Sequence, residues 1–292
     1  MSKPLIAVTG KNGQLGYELE QLSESFQNEF AFLFTDRTML DLGDTSGIPV
    51  FFEKYQPAYF INCAAYTAVD KAETEREKAN QLNAIAVGII AGQCSLHHCT
   101  LITISTDYVF DGKGTKPYQT DSPTDPVNYY GQTKWLGEKL ALEKNARTII
   151  LRTSWVYSEH GNNFVKTMLR LMKNRPELSV VSDQVGSPTY AADLAAAILK
   201  IIRSLQSGNS HYGIYHYSNE GVISWYEFAT AIRELAGLNC KVLPIPASAY
   251  PTPAKRPAYS VLDKRTIVAD FGIHLMDWRK SLQHCLDKLR IT

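Results

Sequence analysis

Short apolar runs alternate with amphipathic stretches through the first half of the chain. Leu5-Ile-Ala-Val-Thr9, Phe30-Ala-Phe-Leu-Phe34, Tyr59-Phe-Ile-Asn62, Leu101-Ile-Thr-Ile-Ser105 and Thr148-Ile-Ile-Leu-Arg152 read as strands. Helical spacing fills residues 14–22, 48–55, 75–96 and 129–143 between them. Strands that are apolar nearly end to end, separated by helices, predict a parallel sheet covered on both faces. The expected fold class is α/β, a Rossmann-type doubly wound parallel sheet.

After Trp155 the rhythm becomes irregular. Pro176, Pro188, Pro244, Pro246, Pro251, Pro253 and Pro257 cut the chain into short pieces. A helix over 191–204 and the strand-like Gly213-Ile-Tyr-His-Tyr217 read as returning to the main sheet. The organisation expected is a dinucleotide-binding domain over residues 1–154, rejoined by 189–219. A smaller, discontinuous C-terminal substrate domain takes residues 155–188 and 220–292.

Composition narrows the function classes. A chain of 292 residues buries a large core and holds one or two domains. Its net charge of +1, from 30 basic and 29 acidic residues, provides no global field for nucleic acid or a membrane surface. No apolar run approaches the ~20 residues that span a bilayer. The start, Met1-Ser-Lys-Pro, lacks the apolar core of a signal peptide and leads straight into a strand, so a cytoplasmic protein is expected. The five cysteines, Cys63, Cys94, Cys99, Cys240 and Cys285, are scattered and lack metal-ligand spacing. They read as reduced thiols. The His97-His98 pair reads as the decoration of a helix end.

The candidate chemistry gathers at strand ends. Gly10-Lys-Asn-Gly13-Gln-Leu-Gly16 follows the first strand and opens a helix. Glycine lets the backbone come close to a pyrophosphate, and the helix N-terminus presents free N–H groups to that anion. Gly10, Gly13, Gln14, Leu15 and Gly16 are therefore cofactor-binding candidates. The spacing differs from the G-x-G-x-x-G form, and a plain tight turn is the alternative. Asp36 ends the second strand twenty residues after Gly16, where an acid takes the ribose 2′-hydroxyl of NAD. Arg37 follows, and its guanidinium suits the 2′-phosphate of NADP. The two pull in opposite directions, so both NADPH and NADH stay open as cofactors. Asp41 and Leu42 are expected to border the adenine. At the end of the third strand, the small residues Ala64 and Ala65, with Tyr66 after them, leave room for the cofactor; tight packing is the alternative.

Tyr130-Gly-Gln-Thr-Lys134 sets a phenol and an ammonium four residues apart, on one helix face. A nearby positive charge lowers a tyrosine pKa, which fits it for proton transfer to a substrate oxygen. The bare pair also occurs as an ordinary helix surface pair. Ser105-Thr106-Asp107 closes the fourth strand at the same sheet edge, offering a hydroxyl beside Tyr130.

Taken together, several motifs resemble the extended short-chain dehydrogenase/reductase family. They are the glycine turn, Asn62-Cys-Ala-Ala65, Ser105-Thr-Asp-Tyr-Val-Phe-Asp-Gly112, Tyr130-x-x-x-Lys134 and Arg152-Thr-Ser-Trp-Val-Tyr157. The resemblance extends through Gly161-Asn-Asn-Phe164, Asp183-Gln-Val-Gly-Ser-Pro-Thr189 and Arg256-Pro-Ala-Tyr-Ser-Val-Leu-Asp263. Within that family the chain is most similar to members that act on a nucleotide sugar. The resemblance implies NAD(P)H-dependent reduction of the 4-keto group of dTDP-4-dehydro-6-deoxy-L-mannose, giving dTDP-L-rhamnose. It implies that Tyr130 gives a proton to the C4 oxygen, that Lys134 holds the nicotinamide ribose and supports the tyrosine, and that Thr106 hydrogen-bonds the reacting oxygen. Asp107 and Trp155 would line the sugar pocket, and Asn163 and Arg256 would reach the nucleotide. Two other readings share the scaffold: a nucleotide-sugar epimerase or dehydratase, and a non-catalytic regulatory subunit of methionine adenosyltransferase. Some members of the family bind magnesium at a dimer contact through carboxylates, one of them where Glu18 stands. Ala192 occupies the position of another. The expectation is no metal in the catalytic step, no magnesium-dependent dimer, and a monomer or weak homodimer.

Overall fold

The computed structural model describes residues 3–291; Met1, Ser2 and Thr292 lie outside it, and with them the first two residues of the N-terminal reading. Its centre is a six-stranded sheet, all of its pairs parallel. The first half runs β1 (Leu5–Thr9), α1 (Gln14–Ser23), β2 (Ala31–Thr35), α2 (Gly47–Tyr55), β3 (Tyr59–Asn62), α3 (Val69–Ala72), α4 (Arg76–Asn80), α5 (Ala86–Leu96), β4 (Thr100–Thr106), α6 (Tyr129–Lys144) and β5 (Thr148–Thr153). There follow β6 (Val156–Tyr157), α7 (Phe164–Asn174), β7 (Glu177–Val181), β8 (Val185–Gly186), β9 (Thr189–Tyr190), α8 (Ala191–Gln206) and β10 (Gly213–His216). The chain ends with β11 (Ile223–Ser224), α9 (Trp225–Ala236), β12 (Lys241–Ile245), α10 (Arg265–Phe271) and α11 (Trp278–Ile291).

The strand order is β10-β5-β4-β3-β1-β2. From β1 the chain goes to β2 on one side and returns to β3 on the other, so the strand order reverses at β1 and β3. Such a reversal opens a crevice at the carboxyl ends of the strands. Both sheet faces are apolar because both are covered. Leu15 and Leu19 of α1 and the row Leu194, Ile198, Ile201 and Ile202 of α8 pack on one face. Phe51 and Phe52 of α2, Val87, Ile90 and Ala91 of α5, and Ala141 of α6 pack on the other.

The long helix expected over 75–96 is interrupted. Between α4 and α5, Gln81–Ile85 forms one π-helical turn, which buries Asn83. Such turns insert a residue into the helical register and are frequent at functional sites. A second apolar cluster joins α7, α9 and α11 around Val165, Phe228, Ile232 and Leu282. Its strands are only two-stranded pieces, β7 with β12, β8 with β11 and β6 with β9. Helix α9 starts on a capping box, with Ser224 and Glu227 each bonding the other's backbone N–H, and stops at Gly237 in the left-handed region. The cysteines are free thiols, four of them buried.

Candidate active site

A cavity of about 870 Å³ occupies the crevice. Its floor is the glycine turn. Gly10 has φ +73°, and a Cβ there would lie 2.9 Å from the backbone nitrogen of Ala64. A Cβ on Gly16 would lie 2.2 Å from the Gly10 carbonyl oxygen, so the turn and the start of α1 are in backbone contact. Among the described residues, no side chain caps the N-terminus of α1. Its first N–H groups are therefore left for an anion. Gly10, Gly13, Gln14, Leu15, Asp36, Arg37, Asp41, Leu42, Ala64 and Ala65 all line the cavity. Gly16 lies beneath the lining, where it permits the close contact. Gly10 and Gly13 bring bare backbone to the cavity wall, the setting a dinucleotide pyrophosphate requires.

Tyr66 departs from its expected place. It is buried away from the lining. Its backbone N–H donates to Asn83 Oδ1 at 2.8 Å, and its carbonyl accepts from Asn83 Nδ2 at 3.1 Å. This pairing holds the Tyr66 backbone on Asn83, while its neighbours Ala65 and Thr67 line the cavity.

The strand ends and α6 supply the polar wall. Thr106 Oγ1 donates to Asp107 Oδ1 at 3.0 Å and accepts from the Tyr108 backbone N–H at 3.2 Å. Tyr130 and Lys134 face the same cavity, one helical turn apart. Asn128 starts α6 by accepting from the Gly131 N–H at 2.8 Å. A Cβ on Gly131 would lie 2.2 Å from the Tyr108 carbonyl oxygen, so glycine lets α6 approach the end of β4. Glu138 and Arg152, both buried, clamp α6 to β5 through paired contacts of 2.9 and 2.7 Å.

The titration behaviour differs from the expectation drawn from spacing. Burial pushes the Tyr130 phenol well above its ordinary value, with a Thr106 hydrogen bond opposing. The Lys134 ammonium is spent elsewhere, donating to the Ile104 carbonyl at 2.6 Å, and burial brings its pKa down to about 8. Without a ligand, Tyr130 is thus a neutral phenol, suited to donating a proton. Burial raises Asp107 to about 6, with Thr106 and Ser260 opposing. The Ser105 hydroxyl has no hydrogen-bond partner among the described residues, and the Ser105 and Asp107 side chains both line the cavity.

Trp155 also lines the cavity, at φ +50° and stacked on Trp225 with centroids 3.7 Å apart. Asn163 and Arg256 do not reach the lining. Asn163 instead caps α7, accepting from the Lys166 N–H at 3.1 Å and donating to Gln14 Oε1 at 2.9 Å. It braces a loop over the glycine turn, where His160 stacks on Tyr17 at 4.3 Å. Arg256 pairs with Asp70 at 2.8 Å and donates to the Ala254 carbonyl at 2.9 Å. Charge and hydrogen bonding there hold it on Asp70, off the lining. Glu18, where the resemblance puts a metal ligand in some members, is buried against Ser158, whose hydroxyl donates to it at 2.6 Å. Asp193, beside Ala192, accepts from Asn219 Nδ2 at 2.7 Å and from the Ser281 hydroxyl.

Sequence reasoning missed Lys11, whose ammonium lies 3.1 Å from Asp36 Oδ2. It also missed Thr38, which donates to Asp36 Oδ1 from its hydroxyl at 2.6 Å and its N–H at 3.0 Å. The Asp-x-Thr spacing is a recognisable local turn. The Lys11 contact joins two loops and carries no local signal.

The RmlD substrate binding domain profile matches residues 4–291. The chain belongs to the RmlD substrate binding domain family. The RmlD relatives include the spore coat polysaccharide biosynthesis protein SpsK of Bacillus subtilis, 44% identical across 97% of each chain. The dTDP-4-dehydrorhamnose reductase of Aggregatibacter actinomycetemcomitans is 41% identical, covering 96% of this chain and 97% of that one. Among solved structures, the dTDP-4-dehydrorhamnose reductase of Bacillus anthracis in complex with NADP is 40% identical with a TM-score of 0.92. That match covers 98% of this RmlD chain and 100% of the other.

Proposed function

We propose that the chain performs the reaction for which its relatives are named. It reduces the 4-keto group of dTDP-4-dehydro-6-deoxy-L-mannose to give dTDP-L-rhamnose, consuming NADPH or NADH. The observation that carries this reading is the meeting of Thr106, Tyr130 and Lys134 with an uncapped glycine turn in one cavity. The reduced nicotinamide, when bound, supplies the hydride for C4 of the sugar.

Each chain residue has a task in this reading. The neutral Tyr130 phenol delivers a proton to O4 as charge develops there. Thr106 donates a hydrogen bond to the same oxygen. Lys134 moves from the Ile104 carbonyl to the cofactor ribose and stabilises the phenolate that Tyr130 leaves. Trp155 and Asp107 bound the sugar. Arg256 exchanges Asp70 for the substrate pyrophosphate, which its planar fork matches. The segments 155–188 and those after residue 220 form the substrate-binding unit, and residues 189–219 belong with the nucleotide-binding unit.

The reading carries a cytoplasmic protein that is a monomer or weak homodimer, with no nucleic-acid or membrane partner. Among the described residues, no helix is long and apolar enough to cross a membrane. Burial of Glu18 and the alanine at 192 support an assembly without magnesium; sedimentation in magnesium and in EDTA tests it.

The decisive experiment mixes the protein with the 4-keto sugar nucleotide and follows loss of reduced-nicotinamide absorbance. One cofactor consumed per sugar, with dTDP-L-rhamnose as product, is expected. Turnover without net cofactor consumption would instead indicate an epimerase or dehydratase. A partner that co-purifies, with no turnover of any sugar nucleotide, would indicate a regulatory subunit.

A further inference from the structure

Tyr130, Lys134 and Glu138 follow one another at four-residue spacing along one face of α6. The first two line the cavity; Glu138 does not, and is 4% exposed. Both of its oxygens are taken by Arg152, at 2.9 and 2.7 Å. Arg152 is itself fixed from two further sides. Its Nη1 donates to the Thr120 carbonyl at 3.1 Å, and its guanidinium lies 5.0 Å from the centre of the Phe110 ring. A carboxylate held in such a fork does not swing along the helix to grip Lys134. It acts on that ammonium through its field, and Lys134 Nζ donates to the Ile104 carbonyl instead. Other charges around Lys134 are turned elsewhere. The π turn and α5, packed on α6, hold one titratable group, the Cys94 thiol, which burial keeps neutral. After β4, the Asp107 charge bears on Tyr130, and Tyr108 is a neutral buried phenol. On α3 and α4, Asp70 pairs with Arg256, Glu73 with Arg76 and Glu75 with Lys78, while Lys71 and Glu77 are exposed. The remaining charges of α6, on Lys139, Glu143 and Lys144, are exposed as well. His216, on β10, is held neutral by burial and by Arg152, its pKa down at about 3. Burial lowers the Lys134 ammonium to about 8, and the Glu138 charge opposes that.

We propose that Glu138 is a positioning residue for the reduction, acting through Lys134: its carboxylate, locked by Arg152, is the counter-charge of the buried ammonium that supports Tyr130. This rests on the reading that Tyr130 and Lys134 serve a reductase. The lock matters as much as the charge. A carboxylate free to bond Lys134 would hold the ammonium away from the crevice. One fixed by Arg152 favours the charged form and leaves the three donors of Lys134 to other partners.

The test has two readouts on the full-length protein. The first is the titration of Lys134 without cofactor, followed by carbon-13 resonance of labelled lysine ε-carbons and assigned by the signal that Lys134→Met removes. The second is the pH profile of the reduction. Glu138→Gln should move the Lys134 titration, and the descending limb of the profile with it, down by about one pH unit. Acid should rescue it: near about pH 6, where Lys134 is charged again, its rate should return to within about twofold of wild type. A purely structural loss would be the same at every pH. Where Arg152, left unpaired, prevents folding of the single variant, Glu138→Gln/Arg152→Met removes both buried charges, and its limb should move in the same direction. A folded variant whose Lys134 titrates where wild type does, or whose rate deficit is equal at about pH 6 and about pH 9, would overturn the inference and leave the reductase reading standing. A folded wild type that shows the Lys134 titration but consumes no reduced nicotinamide would instead overturn the reading on which it rests.

Discussion

The backbone of Gly137 rides on the carbonyl of Asn83: a Cβ at position 137 would lie 2.1 Å from that oxygen. Asn83 belongs to the π turn between α4 and α5, and its Nδ2 donates to Thr133 Oγ1 at 3.0 Å. Thr133 Oγ1 in turn donates to the Tyr130 carbonyl at 2.8 Å. The packing of α6 on the π turn therefore sets how far Tyr130 and Lys134 project into the crevice. Gly137→Ala cannot be accommodated without moving α6. Overpacking of this kind costs about 1–3 kcal/mol. The expected outcome is a lower melting temperature with a kcat loss of at least about tenfold, because catalytic geometry tolerates little displacement. A variant with wild-type kcat and melting temperature would show that the contact does not set the position of α6.

Tyr130→Phe removes the phenol oxygen and little else. A positioned general acid contributes roughly 10²–10⁴ in rate. The variant should lose kcat in that range and bind NADPH as wild type does. Retention of more than about half the wild-type turnover would remove Tyr130 from the proton path.

The pH profile should report Lys134. Its ammonium is charged below about pH 8 and neutral above it. In the proposed role the neutral amine would no longer stabilise a phenolate at Tyr130, so activity should fall as pH rises through that value. Since kcat/KM for the cofactor reflects the free enzyme, its plot should show a descending limb centred near pH 8. A flat plot continuing to about pH 10 would assign the charge a different role.

Glu18 should govern part of the alkaline stability. Burial raises its carboxyl from 4.5 to about 7, opposed by the Ser158 hydrogen bond and by Lys288, whose ammonium lies 3.9 Å from Glu18 and 2.8 Å from Glu159. The folded state thus holds the Glu18 proton more tightly than the unfolded state does. Stability is lost as pH rises between those two values and the loss is complete above the higher one. Glu18→Gln keeps an oxygen to accept from Ser158 and cannot ionise. Calorimetry should find the variant more stable than wild type at pH 8, with the gap closing near pH 5. An equal gap at both values would show that Glu18 does not titrate in this range.

Much of the fold was legible because the buried strands are apolar nearly end to end. Tyr59–Asn62 appears with the bounds read from the sequence, and Leu101–Ser105 is longer by one residue at each end. The π turn was not legible, since the apolar residues flanking it on α5 run almost all round the helix and hide a shift of one residue in phase. The second half resisted reading because β6, β8, β9 and β11 are two residues each, too short to carry a period. In the site, the glycine turn, Tyr130, Lys134 and Thr106 were visible because they are local motifs or fixed positions at strand ends. Lys11 on Asp36 and Asp70 on Arg256 were not, because each contact closes a long loop. Asn163 was assigned to the nucleotide although an asparagine opening an apolar helix also signals a cap, the part it takes here.

The stacked indoles of Trp155 and Trp225 make the site optically self-reporting. Two such chromophores 3.7 Å apart and 14° from parallel are strongly coupled electronically. Their near-ultraviolet circular dichroism is then a property of the pair, sensitive to small rotations of either ring. Trp155 forms part of the cavity wall and is held in the left-handed backbone region, so its ring has little freedom of its own. If, as proposed, the sugar seats against Trp155, it turns or shields that ring, and the paired signal changes with no label attached. Occupancy of the proposed sugar subsite can thereby be followed apart from the nicotinamide, whose own absorbance reports only on the reaction.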